Sequence, residues 1–186
     1  MTAAALLRAV VAALDAAGVP FMLTGSLAAA YHGAGRATMD IDLVIDPTAP
    51  QLRSLVRALA APGIYVSSDA AEAALTHRSM FNVVDTTSGW KVDLIVRKDR
   101  AFSATELQRR RPAEYEGCAL WVASVEDLIV AKLEWTKLGA SARQLEDVAA
   151  LLRLHAGQLD QAYVEHWITE LGLTTQWQQV LPGEAT

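Results

Sequence analysis

The sequence predicts an α/β fold of the α+β kind: a mixed β-sheet flanked by helices, followed by a C-terminal helical bundle. Three observations predict it. Apolar and polar residues alternate with period two in short runs such as "MDIDLVID" and "WKVDLIV", the pattern of half-buried strands. Hairpin signals and helical crossovers both separate these runs, so parallel and antiparallel pairs are expected in one sheet. From Ser124 onward the apolar period becomes helical. The α/β core is assigned to residues 1–122 and the helical region to 123–186.

The first helix spans Ala3 to Ala17, with Leu6, Val10 and Leu14 on one face, and stops at Gly18 before Pro20. "FMLTG" reads as a short buried strand. "SLAAAYHG" reads as a helix start that Ser26 can cap. "MDIDLVID" is a strand ended by Pro47 and Pro50. "APQLRSLVRALAA" is an amphipathic helix through Leu52, Leu55, Val56 and Leu59. A short strand "IYVS" and a short helix from Asp69 to Leu75 follow.

"MFNVVD" and "WKVDLIV" flank "TTSG" and form the clearest hairpin. A charged, irregular connection leads to a smaller hairpin in "AEYEGCALWVA", turning at Glu116-Gly117. "SVEDLIVAKLEWTKLG" opens on a Ser-x-x-Asp capping signal and ends at Gly139. "SARQLEDVAALLRLHAG" opens on Ser-x-x-Gln and ends at Gly157. "LDQAYVEHWITELG" is the third C-terminal helix, with an apolar tail behind it.

Composition narrows the functional classes. The chain has 186 residues, 52% apolar and 20% charged, which suits a folded protein rather than a disordered one. A net charge of −5 gives no global basic footprint for nucleic acid. The single cysteine, Cys118, excludes an internal disulfide and a multi-cysteine zinc site. The apolar N-terminus carries Arg8 and Asp15 and lacks a basic leader, so it reads as a helix and not a signal peptide. No run approaches the roughly 18 apolar residues that span a bilayer. A cytoplasmic location without membrane contact is expected.

Strand parity singles out three carboxylates. Residues two apart on a strand share a face. Asp40 and Asp42 therefore point together, away from Ile41, Leu43 and Ile45. The same parity separates Asp93 from Val92, Leu94 and Val96. If the two strands are neighbours, the three carboxylates converge and need a cation among them. Mg²⁺ (or Mn²⁺) suits such oxygen donors and accepts substrate phosphates as further ligands. Upstream, "LTGS" puts Gly25 at a strand-to-helix turn, where backbone can approach a phosphate closely. Ser26 adds a hydroxyl. The plain alternatives are a solvated sheet face for the aspartates and an ordinary tight turn for Gly-Ser.

The combination resembles the nucleotidyltransferase superfamily related to DNA polymerase β. Its pattern is an apolar strand, Gly-Ser, a helix, Asp-x-Asp on a strand, and a third carboxylate on a later strand. Gly25, Ser26, Asp40, Asp42 and Asp93 match that pattern. "GRATMDIDLVI" is similar to small bacterial members, and "SVEDLIVAKLEW…RQLEDVAALL" resembles AbiEii-type enzymes, several of which are toxins of toxin–antitoxin pairs. The resemblance runs from about residue 20 to 155.

It implies an enzyme that moves a nucleoside monophosphate from an NTP such as ATP to a hydroxyl on a tRNA end or a protein. It implies Asp40, Asp42 and Asp93 as catalytic metal ligands, and Gly25 and Ser26 as phosphate contacts. Arg36 and Thr38 would reach a phosphate or the base, and Lys132 would face the nucleotide. An antitoxin partner is an associated expectation. The rival reading is a catalytically silent nucleotidyltransferase-like protein that binds a nucleotide or a partner.

Other residues carry less. Lys132 can neutralise a phosphate or pair with Glu126 or Asp127. Arg143 and Asp147 have the i, i+4 spacing of a helix pair. "VRKDR" and Arg109 to Arg111 form a local basic region, either a solvated loop or a nucleic-acid contact. His32, His77, His155 and His166 lack metal-ligand spacing, and Cys118 reads as a small buried residue. The five tryptophans are expected in the core or between helices.

Overall fold

In a computed structural model of the protein, the described residues are 1–35, 40–139 and 142–181. Seven strands form one mixed sheet: β1 (Phe21–Thr24), β2 (Asp40–Ile45), β3 (Ile64–Val66), β4 (Met80–Asp85), β5 (Lys91–Val96), β6 (Arg111–Tyr115) and β7 (Cys118–Val122). Their order is β3-β4-β5-β2-β1-β7-β6. β2 and β5 run parallel, as do β1 and β7, and the remaining neighbours are antiparallel. The expected fold class, a mixed sheet flanked by helices, is the observed one.

Nine helices accompany the sheet among the described residues: α1 (Ala3–Ala16), α2 (Gly25–Tyr31), α3 (Ala49–Leu59), α4 (Ser68–His77), α5 (Ala101–Arg109), α6 (Val125–Gly139), α7 (Ala142–Leu154), α8 (Gln161–Glu170) and α9 (Thr174–Val180). None is long and apolar enough to cross a membrane. The Thr2 hydroxyl caps α1 by accepting the Ala5 N–H, and Leu6, Leu7, Val10 and Leu14 are fully buried along it. A complete capping box, Thr48 with Gln51, starts α3. Helices α1, α3 and α4 pack on the face of Ile41, Leu43, Val92 and Leu94. The opposite face carries the aspartates and looks toward α2, α6 and α7.

Several sequence expectations need correction. Ser26 does not begin α2: Gly25 is already its first residue, Thr24 holds the cap position, and Ser26 lies in the first turn. The "irregular connection" contains α5. Its buried face mixes Phe102 and Leu107 with Ser103 and Glu106, so half of the helical stripe is polar and the periodicity is hidden. The apolar tail contains α9, anchored by buried Trp177 and Val180. The Ser-x-x-Gln cap falls on Ser141, outside the described residues.

The basic region spans the loop at residues 97–100 and the end of α5, and three of its arginines are engaged in ion pairs. Arg97 pairs with Asp46 at 2.9 Å. Arg100 clamps Glu134 of α6 through two bonds of 2.5 and 2.6 Å. Arg109 reaches Glu126 and Asp127 and lies over the Tyr163 ring. Asp127 is fully buried and also accepts from Ser124 at 2.6 Å and from the Tyr163 hydroxyl at 2.5 Å. This one carboxylate therefore ties α5, α6 and α8 together and completes the predicted Ser-x-x-Asp cap.

Glu106 lies beside that hub. Burial, and then the Asp127 charge, push its carboxyl up to about 8. Between its ordinary value of 4.5 and about 8, the native protein keeps a proton that the unfolded chain has released. The stability this proton contributes is complete below that window and is lost as pH rises through it. Glu106→Gln is expected to flatten the fall in melting temperature toward pH 8, read by thermal melts across the window; an unchanged slope would remove Glu106 as its cause.

Candidate active site

Strand register brings the three sequence-predicted carboxylates together. In the parallel pair β2/β5, Asp42 lies directly opposite Asp93, and Asp40 lies opposite Lys91. Adjacent strands are about 4.8 Å apart, so the Asp42 and Asp93 side chains leave the sheet as close neighbours. Their environments differ. Asp93 is 5% exposed, whereas the Asp40 side chain is 57% exposed at the strand's start. The face away from the α1 core is thus a second, covered face near Asp93 and not a solvated one.

Gly25 stands against Asp42. Its φ is +67°, and a Cβ built there would fall 2.0 Å from the Asp42 Oδ2. Both the backbone conformation and the approach of the carboxylate require the missing side chain. Thr24 pairs with Asp42 across β1/β2, so the turn and the carboxylate are held in one register.

Two residues that sequence reading missed hold Asp93. The Asn82 amide donates to Asp93 Oδ1, across the register pair Asn82–Asp93 of β4/β5. The Lys91 ammonium lies 2.9 Å from Asp93 Oδ2 and 3.5 Å from Asp40 Oδ1. These contacts, Asp93 first, raise the Lys91 pKa. Asp42 is the strained member. Burial, then the charges of Asp93 and Asp40, push its carboxyl up to about 6, against a smaller opposing effect of Lys132 and Lys91.

A cleft of about 420 Å³ opens over these groups. Gly25, Ser26, Asp40, Asp42, Asp93 and Lys132 all line it, so six of the predicted site residues meet in one place. Arg36 and Thr38 lie outside the described residues. Lys132 does not pair with Glu126 or Asp127, which bind Arg109 instead. It is 2% exposed, and its Nζ lies 2.7 Å from Asp147 Oδ2 and 2.9 Å from Gln144 Oε1. Asp147 is therefore a partner from α7 to α6, and Arg143, expected as its helix partner, lines the cleft. Met80, Ile95 and Trp135 are among its apolar lining. Trp135 is 52% exposed at the rim, in contrast to the expected core position, while Trp167 and Trp177 are buried.

The histidines are structural where they pair: His32 donates to the Ala123 carbonyl and His155 to the His32 carbonyl. Cys118 is buried, as expected.

The donor set fits a hard divalent cation. Three carboxylates share an open cleft, and the Asp42 carboxyl is raised by burial first and then by the charges of Asp93 and Asp40, of which a cation would relieve the second part. Among the described residues, no three His, Cys, Asp or Glu side chains already stand at ligand spacing, and the Lys91 ammonium lies between two of the aspartates.

No protein-family model matches the sequence, and no curated protein does. Solved structures do resemble it. The antibiotic-resistance factor ANT(2'')-Ia in solution aligns over 94% of this chain and 94% of its own, with TM-score 0.55 and 17% identity. Its crystal structure with adenylyl-2''-tobramycin aligns over 93% and 97%, with TM-score 0.56 and 16% identity. An antigenic nucleotidyltransferase-like protein from Paracoccidioides brasiliensis aligns over 93% and 91%, with TM-score 0.51 and 17% identity. At these identities the likeness is one of fold: the chain has a nucleotidyltransferase-like architecture.

Two outcomes test this geometry. Gly25→Ala puts a side chain into the Asp42 carboxylate and into a positive-φ position. A strain of about 1–2 kcal/mol lowers the melting temperature by roughly 2–8 °C, whereas an unchanged melt would contradict the close approach. Asp42, with its pKa raised from 3.8 to about 6, holds a proton in the native state that the unfolded chain has lost in that window. Its contribution to stability is complete below the window and is lost as pH rises through about 6. Asp42→Asn should remove that part of the pH dependence in thermal melts.

Proposed function

We propose that this protein is a nucleotidyltransferase that moves a nucleoside monophosphate from an NTP to a hydroxyl acceptor and releases pyrophosphate. The observation that carries this reading is the convergence of Asp40, Asp42 and Asp93 in one cleft, with Gly25 pressed against Asp42.

The roles follow from the chemistry of the reaction. Asp40, Asp42 and Asp93 would hold Mg²⁺ or Mn²⁺, which supplies charge neutralisation of the triphosphate and of the oxygens between which the phosphoryl group passes. Asp93, fixed from one side by Asn82, is the group to accept the proton of the acceptor hydroxyl. Gly25 and Ser26 would contact the outer phosphates. Lys132, held at the cleft wall by Asp147 and Gln144, adds a fixed positive charge toward the nucleotide. Arg36 and Thr38 keep the nucleotide-binding roles that the family resemblance assigns to them.

We take the acceptor to be a small hydroxylated molecule. Two observations favour it over a tRNA end. Arg97, Arg100 and Arg109 of the basic region are engaged in ion pairs, which leaves these three poorly suited to bind a phosphate backbone. ANT(2'')-Ia, whose length this chain nearly matches, is solved with adenylyl-2''-tobramycin, a nucleotidylated small molecule.

The test is a labelling screen. Purified protein receives α-labelled NTPs and Mg²⁺ or Mn²⁺, with hydroxylated small molecules including aminoglycosides, with total tRNA, or with protein. Transfer to a small molecule is expected, and Asp42→Asn should lower it by about 100-fold or more, as loss of a group acting on transition-state charge does. Labelled tRNA or protein, together with Asp42-dependent growth arrest on expression, would replace this acceptor by the toxin reading and motivate a search for an antitoxin. Metal-independent NTP binding that survives Asp40→Ala, without transfer, would support the silent binder instead.

A further inference from the structure

Lys91 has no assigned part in the reaction above, yet its ammonium contacts two of the three carboxylates. It stands on β5, opposite Asp40 in register and two residues before Asp93 on the same face. A single ammonium bridges both carboxylates, at 2.9 Å to Asp93 and 3.5 Å to Asp40. Both Asp93 oxygens are thus occupied by donors, Oδ1 by Asn82 and Oδ2 by Lys91.

A divalent cation that takes Asp93 Oδ2 meets the Lys91 ammonium at the same oxygen and repels it, whereas the neutral Asn82 amide on Oδ1 can stay. Asn82 is exposed as well, but its side chain is short and its backbone is fixed on β4 directly opposite Asp93. The Lys91 side chain is 35% exposed, and its charge rides on a flexible four-carbon stem. The lysine is therefore the donor that can leave at low cost.

We infer that Lys91 is an exchangeable counter-ion. It holds Asp40 and Asp93 together in the metal-free protein and yields its place when a divalent cation enters. No covalent step is involved: the ammonium keeps its proton and moves toward solvent or substrate phosphate. The inference rests on the reading of the three aspartates as cation ligands.

The experiment is calorimetric titration with Mn²⁺ alone, without nucleotide, on the wild-type chain and on Lys91→Met. Removing the competitor should tighten Mn²⁺ binding on the order of fivefold, the scale of a part-exposed ion pair. Lys91→Arg, which keeps the charge, should bind no tighter than wild type. Thermal melts give a second readout: Lys91→Met melts lower than wild type in chelator and gains more from Mn²⁺. Lys91→Gln takes its place in both assays if the methionine variant does not fold. Equal or weaker Mn²⁺ binding by the neutral variant would overturn the exchange and leave the metal site standing. Failure of both wild type and neutral variant to bind Mn²⁺ would overturn the metal reading and the exchange with it.

Discussion

Like-charge repulsion is the constraint around which this end of the sheet is arranged. Asp42 and Asp93 face each other across two parallel strands, and Asp40 precedes Asp42 on the same face. A buried carboxylate without compensation costs several kcal/mol. Each neighbouring feature answers that cost differently. Lys91 bridges two of the three charges, Asn82 donates to the most enclosed one, and Gly25 removes a Cβ that Asp42 would otherwise strike. Asp42 retains the residual strain, visible in its raised pKa.

The C-terminal helices serve the same cluster from above. Lys132 of α6 reaches the cleft only because Asp147 and Gln144 of α7 hold its ammonium in a nearly dry position. A buried ion pair of this kind adds little net stability, since desolvation offsets most of the attraction. Its effect is positional: it fixes a positive charge at one point of the cleft wall. The position of α6 is in turn set by ionic contacts from outside the cleft, Arg100 to Glu134 and Arg109 to Asp127, with Tyr163 of α8 on the same carboxylate. Two of the arginines that make the sequence look locally basic, Arg100 and Arg109, are thus fasteners to α6.

What was legible in the sequence was governed by period and parity. Two-residue alternation separates Asp40, Asp42 and Asp93 from the apolar set, and that separation survives in the structure. Hairpin register is legible too. With "TTSG" as the loop, Asp85 meets Trp90, and counting back places Asn82 opposite Asp93. The Asp40–Lys91 pairing was not legible in that way, because it depends on a parallel register between strands far apart in the chain. Helix α5 was hidden because Ser103 and Glu106 occupy half of its buried stripe. The exposure of Trp135 was not legible, because its helical spacing marks a face but not what covers it; that face opens on the cleft.

The order of strands gives the proposed reaction a direction. In-line displacement puts the leaving oxygen and the attacking oxygen on opposite sides of the phosphorus. Across the sheet, Gly25 follows β1, Asp42 lies on β2, Asp93 on β5, and Asn82 with Met80 on β4. With the outer phosphates at Gly25–Ser26, the leaving pyrophosphate lies on the β1 side of the carboxylates. The acceptor hydroxyl must then arrive from the β4 side, past Asp93. That approach is bordered by Met80 and Ile95, register partners on β4 and β5, and it leads first to the carboxylate proposed to take the proton. Arg143 and Gln144 of α7 line the same cleft from the opposite layer, so in the proposed reaction the two substrates can be held by different elements, the phosphates by the turn after β1 and the acceptor by Met80 and Ile95 of β4 and β5.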